Sequence, residues 1–480
     1  MNQLEQAIGS VMIATAERAA AKSSRSQSSS NPEQVTFSSI IAALSFALDL
    51  TEGAQPGHAL RTCLIGIRIG TEMGLSQDQL SDLYYALLLK DAGCSSNATR
   101  LYQIVGGDEI RAKAFTKTND WTRFEWKQIQ FLLRHVHAQD KIANRFKAIG
   151  DMIKKSSQNA EILFRLRCNQ GAQVVRDLGL GQGTADAVYN LDEHWNGLGY
   201  PDRLSGDAIP LLARIVSISQ TLEVFHQQYG PAAALDCIQR RSGRWFDPLV
   251  VRAAVSLMRR NALFVDIDSP VLKHYVASLE PSLRSLPADP QTIDSICVAF
   301  AGVVDAKSHS TYMHSTEVAR IAVELGAYLG LNDSELVTLR RAGLLHDIGK
   351  LSVPNSILDK PGKLDASEWA CVKMHPHYTY EILSRIPTFG EIANISASHH
   401  EKLDGSGYYR GLMADDLCYM SRILTVADMF EALSANRPYR GPMSKADVLN
   451  ILRKDVPHAI DPTVFAALES IIEINNLKVA

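Results

Sequence analysis

The chain repeats itself, and the repeat dictates that its two halves fold as versions of one unit. His58 and His314 stand 256 residues apart, and at the same offset Leu87-Leu-Leu-Lys-Asp-Ala-Gly93 aligns with Gly343-Leu-Leu-His-Asp-Ile-Gly349. Further along, Glu193-His-Trp-Asn-Gly-Leu-Gly-Tyr-Pro201 matches Glu401-Lys-Leu-Asp-Gly-Ser-Gly-Tyr-Tyr409 at an offset of 208, as Ala213-Arg-Ile215 matches Ser421-Arg-Ile423. The change of offset gives the first copy 48 additional residues, between about 95 and 190. Apolar residues recur with helical spacing, as in Val318, Ile321, Ala322, Leu325 and Leu329, and few segments alternate with a period of two. One step of four back from Val318 reaches His314, on the core-facing side of that helix. The expected fold is all-α, with two tandem helical domains.

Residues 1–35 read as an alanine-rich N-terminal helix followed by a serine-rich linker, and 279–290, with three prolines in twelve residues, as a second linker. Between and beyond them lie a first domain at 36–278 and a second at 291–480. Lys and Arg number 49 against 52 Asp and Glu, which advertises neither DNA, RNA nor a membrane surface. Seven scattered cysteines without a Cys-x-x-Cys fit reduced thiols. No apolar run reaches membrane-spanning length, about 18 residues, and no cationic-then-apolar leader opens the chain. These features predict a cytoplasmic protein.

Seven of the fourteen histidines fall between 309 and 400, where His314, His346-Asp347, His375 and His399-His400 precede Asp428. Imidazole and carboxylate are the donors that hold divalent first-row metals, and adjacent polar pairs would be costly in an ordinary core. His346-Asp347 should close an apolar helix that Gly349 terminates. Another helix should open at Asp365-Ala-Ser-Glu368 and end at His375, ahead of Pro376. Asp428 interrupts an otherwise apolar helix, where an unpaired charge costs several kcal/mol, on the order reported for buried ions. Two divalent ions sharing Asp347 would bind a phosphate oxygen and lower the pKa of a water towards ~7. Lys350 would neutralise charge growing on the phosphate. In the first copy Lys90, Leu191, Asp192 and Gln220 replace His346, His399, His400 and Asp428, so it should do no metal chemistry.

His346-Asp-Ile-Gly-Lys350 together with His399-His-Glu-Lys-Leu-Asp-Gly-Ser-Gly-Tyr408 resembles the HD-GYP family of cyclic-dinucleotide phosphodiesterases over about 300–445. The resemblance implies a helical metal-binding catalytic copy beside a degenerate structural or regulatory one. It implies that His314, His346, Asp347, His375, His399, His400 and Asp428 hold the metals, iron or manganese, with nickel, cobalt or magnesium as alternatives. It gives Asp347 and Lys350 catalytic positions, and Lys350, Asp404, Gly407, Tyr408, Arg437 and Arg440 substrate-binding ones. The implied reaction opens cyclic di-GMP or 3′,3′-cyclic GMP-AMP to the linear dinucleotide. A dinucleotide sensor and an HD-type nucleotide phosphohydrolase are the alternatives.

Three departures from the family pattern stand out. Tyr409 replaces the motif proline, which leaves the path of that loop open. Ser310 replaces a glutamate found in trinuclear members, which favours two metals. The basic pair Arg437 and Arg440 has no counterpart in the first copy, where Tyr229 and Ala232 align. Gly106-Gly-Asp-Glu-Ile110 resembles the loop of diguanylate cyclases, but it sits in a helical setting unsuited to that role. The two copies are expected to pack together, and the same surface could pair chains as a homodimer.

Overall fold

A computed structural model describes residues 36–119, 126–136, 142–281, 288–308, 313–435 and 441–475. The N-terminal helix and serine-rich segment, most of the second linker, His309, Ser310, Arg437 and Arg440 lie outside the described residues. Those described form helices joined by turns, and only isolated β-bridges occur among them. No helix among them is long and apolar enough to cross a membrane.

The duplication is written into the starts of the helices. Ser76 caps Gln77–Leu89 in a reciprocal box with Gln79, and Asn332 caps Asp333–Leu345 in the same way with Glu335. Each box satisfies backbone N–H groups that a helix start leaves open. In both copies this helix packs on the one that opens with the histidine common to the two, His58–Glu72 or His314–Tyr328. A third helix crosses each pair: Leu211–Tyr229 in the first copy and Tyr419–Ser434 in the second.

Gly349 does not end a helix. The Asp333–Leu345 helix stops at His346, and Gly349 sits within the 3-10 turn Ile348–Ser352. A Cβ there would lie 1.9 Å from the His375 carbonyl, so the glycine is needed for close approach. A Cβ on Gly93 would meet the Arg167 carbonyl at the same distance. That contact pairs Arg167 with His375 and confines the 48-residue excess to the stretch between Gly93 and Arg167. The excess folds as Ala98–Val105, Glu109–Thr118, Trp126–His135 and Ile142–Lys154, where the second copy has only Asn355–Leu358 and Ala366–Lys373.

The helix capped by Asp365 in a box with Glu368 stops at Lys373, and His375 begins the next helix, His375–Leu383. Proline fits a first turn, where its missing N–H would have no partner, so Pro376 starts a helix beyond His375. The cyclase-like Gly106–Ile110 is a corner between helices: Gly106 ends one in the left-handed region and Asp108 caps the next.

Buried apolar residues of both copies form one contiguous cluster. Phe37–Thr51 of the first copy lies against the 348–352 turn and His375–Leu383, and Pro290–Asp305 of the second lies against Ser156–Asp177. Between them Glu109, fully buried, accepts the Asn355 N–H at 2.8 Å, and the Asn355 side-chain amide donates to the Lys307 carbonyl at 2.6 Å.

Candidate metal centre

His346, Asp347, His375 and His399 are almost fully buried, and His400 lies at the rim with a quarter of its side chain exposed. Helix ends bring them together: His346 caps one helix, His314 and His375 each begin another, and His399-His400 follow Gly390–Ala397.

The hydrogen bonds settle which imidazole nitrogen faces inward. Nδ1 of His346 donates to the Gly343 carbonyl at 2.7 Å, that of His375 to Val372 at 2.7 Å and that of His399 to Ser396 at 2.5 Å. A carbonyl only accepts, so each Nδ1 carries the proton and each Nε2 presents a lone pair. His314 instead directs Nδ1 to the carboxylate of Glu431.

Those lone pairs converge on Asp347, whose two oxygens divide the histidines. Oδ2 lies 3.4 Å from His314 Nε2 and 3.3 Å from His346 Nε2, whereas Oδ1 lies 3.3 Å from His375 Nε2 and 3.7 Å from His399 Nε2. His375 and His399 bring Nε2 to Nε2 at 3.3 Å. Asp428 adds Oδ1 3.3 Å from His314 and Oδ2 4.0 Å from His400 Nδ1, so its carboxylate sits among imidazoles. Acceptor thus faces acceptor, and neither His346 Nε2 nor Asp347 Oδ1 has a hydrogen-bond partner. Buried acceptors in that arrangement repel unless a cation lies between them. Two donors each about 2.1 Å from one ion stand about 3–3.5 Å apart, the spacing found here. The donor set therefore fits divalent ions.

Electrostatics divide the histidines: burial disfavours charge on His314, but Asp347, Asp428 and Glu431 outweigh it and hold that imidazole well above its usual range. Burial and neighbouring imidazoles hold His399 well below the usual histidine range, and His400 is pushed down to about 3, leaving neutral ligands. Burial opposes charge on Asp347, but His346 and Lys350 outweigh it and hold that carboxyl well below its usual range. Lys350 Nζ stands 2.5 Å from Asp347 Oδ2, at the edge of the cluster.

Tyr408 joins the site, its ring centroid 4.4 Å from that of His400. Asp404 does not: it is exposed, and it accepts the Ser406 N–H within its own loop. A Cβ on Gly407 would meet Glu401 Cα at 2.5 Å, so this glycine lets the loop close over Glu401. Despite Tyr409, the loop keeps its anchor. The Glu401 carboxylate accepts N–H groups from Arg410 and Leu412 at 3.1 Å, as Glu193 accepts that of Asp202 at 2.6 Å in the first copy. Tyr409 turns to His377 and accepts a hydrogen bond from Arg410 Nε.

Two participants escaped the sequence reading. Glu431 orients His314, and its counterpart Glu223 binds His58 in the first copy. A carboxylate kept at the 208 offset while its neighbours diverged was the available signal. The other is Arg167, which fills the His375 position, so five of the seven proposed ligand positions are replaced in the first copy rather than four.

The HD domain family matches this chain at residues 147–250 and 300–464, reaching into both copies. The chain belongs to that family, and its second-copy motifs are of the HD-GYP type. It is similar to the 3'3'-cGAMP-specific phosphodiesterase 3 of Vibrio cholerae, at 40% identity over 92% of this chain and 96% of that one. A crystal structure of a cyclic GMP-AMP specific phosphodiesterase from V. cholerae superposes with a TM-score of 0.64 at 37% identity, covering 92% of this chain and 98% of that one. A cyclic di-GMP phosphodiesterase of Pseudomonas aeruginosa is 34% identical over 34% of this chain and 40% of its own length.

Proposed function

We propose that this chain is a metal-dependent phosphodiesterase that opens a cyclic dinucleotide to its linear form, with the chemistry confined to the second copy. The observation that carries the reading is the division of Asp347, one oxygen toward His314 and His346 and the other toward His375 and His399. A carboxylate so placed suits two ions side by side, with His400 and Asp428 completing the set. Such ions supply Lewis acidity toward a phosphoryl oxygen and lower the pKa of a water nucleophile.

The chain's own residues do the rest. Glu431 and the backbone carbonyls fix the imidazole rings, sparing reorganisation during reaction. Lys350, beside Asp347 and a fifth exposed, is placed to offset negative charge on the scissile phosphate. Tyr408 forms a wall beside His400 against which the substrate packs, and Arg437 and Arg440 are assigned to its phosphates and guanine. Asp404 and Gly407 shape the loop that carries Tyr408.

3'3'-cGAMP is the favoured substrate, because the relative named for it matches nearly the whole chain, whereas the P. aeruginosa relative named for cyclic di-GMP matches a third. We divide the chain into a regulatory or structural domain at 36–278 and a catalytic one at 291–480. The test is chromatography of products from purified full-length chain with Mn²⁺ or Fe²⁺ against 3'3'-cGAMP, cyclic di-GMP, cyclic di-AMP and dNTPs. Asp347→Ala should abolish hydrolysis and lower bound metal. Turnover unchanged in that variant, or confined to dNTPs, overturns the assignment.

A further inference from the structure

Where the second copy has its histidines, the first has a cleft lined by cations. Arg167, Asp192 and Gln220 stand at the positions of His375, His400 and Asp428, and all three line a cavity of about 590 Å³. That volume lies in the range of small-molecule sites, about 300–1,000 Å³. The inserted helix Glu109–Thr118 brings Lys113 and Lys117 into the same cavity.

Charge there is unequal. The Glu52 carboxylate serves two ammonium groups, Lys113 at 3.1 Å and Lys117 at 3.0 Å. Asp91 is bound by Lys90, and Arg167 rests 3.2 Å from Asp192 and 3.7 Å from Asp91. Among the residues lining the cavity, three cations (Lys113, Lys117 and Arg167) thus face two carboxylates (Glu52 and Asp192), while behind them Lys90 serves both Asp91 and Asp49, and Arg61 pairs with Glu223. Glu52, Asp91 and Cys94 come close enough to suggest a metal, but the lysines already occupy both carboxylates and burial keeps the Cys94 thiol protonated. A buried positive excess calls for an anion instead. Part of the lining is aromatic. Phe164 stacks on Tyr200 with ring centroids 5.0 Å apart, and Trp245 also lines the cavity.

We propose that this cleft is a non-catalytic nucleotide site, holding phosphate with Lys117 and Arg167 and a base against the aromatic lining. The assignment does not depend on turnover at the second copy. Its ligand could come as a mononucleotide or as an intact cyclic dinucleotide, which share this chemistry.

The test uses full-length chain carrying Asp347→Ala, so that dinucleotides survive, and follows hydrogen exchange of Glu109–Thr118 and Ser156–Asp177. GMP, AMP, 3'3'-cGAMP, cyclic di-GMP and inorganic phosphate are the probes. A nucleotide should slow exchange in both helices, and Lys117→Met should weaken that binding at least tenfold. Glu52 keeps Lys113 in that variant, so no carboxylate is stranded. Tyr200→Leu, which leaves the charges untouched, should weaken nucleotide binding without changing phosphate binding. The probe acting at the lower concentration assigns the source, mononucleotide or cyclic dinucleotide. Protection by no probe, protection by phosphate as strong as by nucleotides, or unaltered nucleotide binding in Tyr200→Leu overturns the proposal.

Discussion

At the residue scale, the candidate metal cluster was visible in the sequence because its side chains are chemically unusual for a helical core. His346-Asp347 and His399-His400 place polar groups side by side where apolar ones belong, and the duplication shows which half kept them. Glu431 is easily passed over because a lone glutamate on a helix is most often a solvated one; its persistence at the 208 offset marks it, and its bond to His314 gives it a role. Outer carboxylates of this kind typically tune metal affinity about 10–100-fold. Glu431→Gln is therefore expected to weaken metal binding by that margin in a competition titration with a chelating dye. The corresponding Glu223→Gln should leave metal content unaltered, and equal effects of the two would contradict the assignment of one working centre.

At the element scale, capping boxes and apolar periodicity made the helices readable, but the role of Gly349 was not. A glycine near a helix end looks like a terminator, and nothing local reveals that the His375 carbonyl sits where its side chain would be. Overpacking costs about 1–3 kcal/mol. Gly349→Ala should lower stability by that amount in urea unfolding and displace His375, reducing bound metal as well.

Asp49 offers a second check at this scale. It caps the next helix by accepting N–H groups from Gly57 and Ala59 at 2.9 and 3.0 Å, and burial raises its pKa from 3.8 to about 7. Asp91 and Glu223 reinforce the rise, and Lys90 opposes it. A carboxyl raised on folding binds more protons folded than unfolded, so the contribution of Asp49 to stability is greatest below pH 4 and is lost as pH climbs to about 7. Asp49→Asn should flatten this slope: between pH 5 and 8 the parent should lose on the order of 2 kcal/mol more than the variant. Parallel pH profiles would contradict the buried-carboxyl account.

At the scale of the whole molecule, each copy covers part of the other. Phe37–Thr51 shields the turn that carries Lys350 and the helix that begins with His375, and Glu109 receives the Asn355 N–H. Removing residues 1–280 should therefore lower the stability or solubility of the remainder, read by thermal melting and gel filtration. A soluble, fully active 285–480 fragment would refute a structural role for the first copy. The sequence by itself determined the helical class and the duplication and singled out the candidate metal donors, because these rest on periodicity and residue chemistry that need no third dimension. Only the tertiary structure decided which oxygen of Asp347 meets which histidine, that Arg167 stands in for His375, and that Asp404 belongs to a turn. Those outcomes depend on contacts between segments far apart in the chain, whose distances and directions packing alone sets.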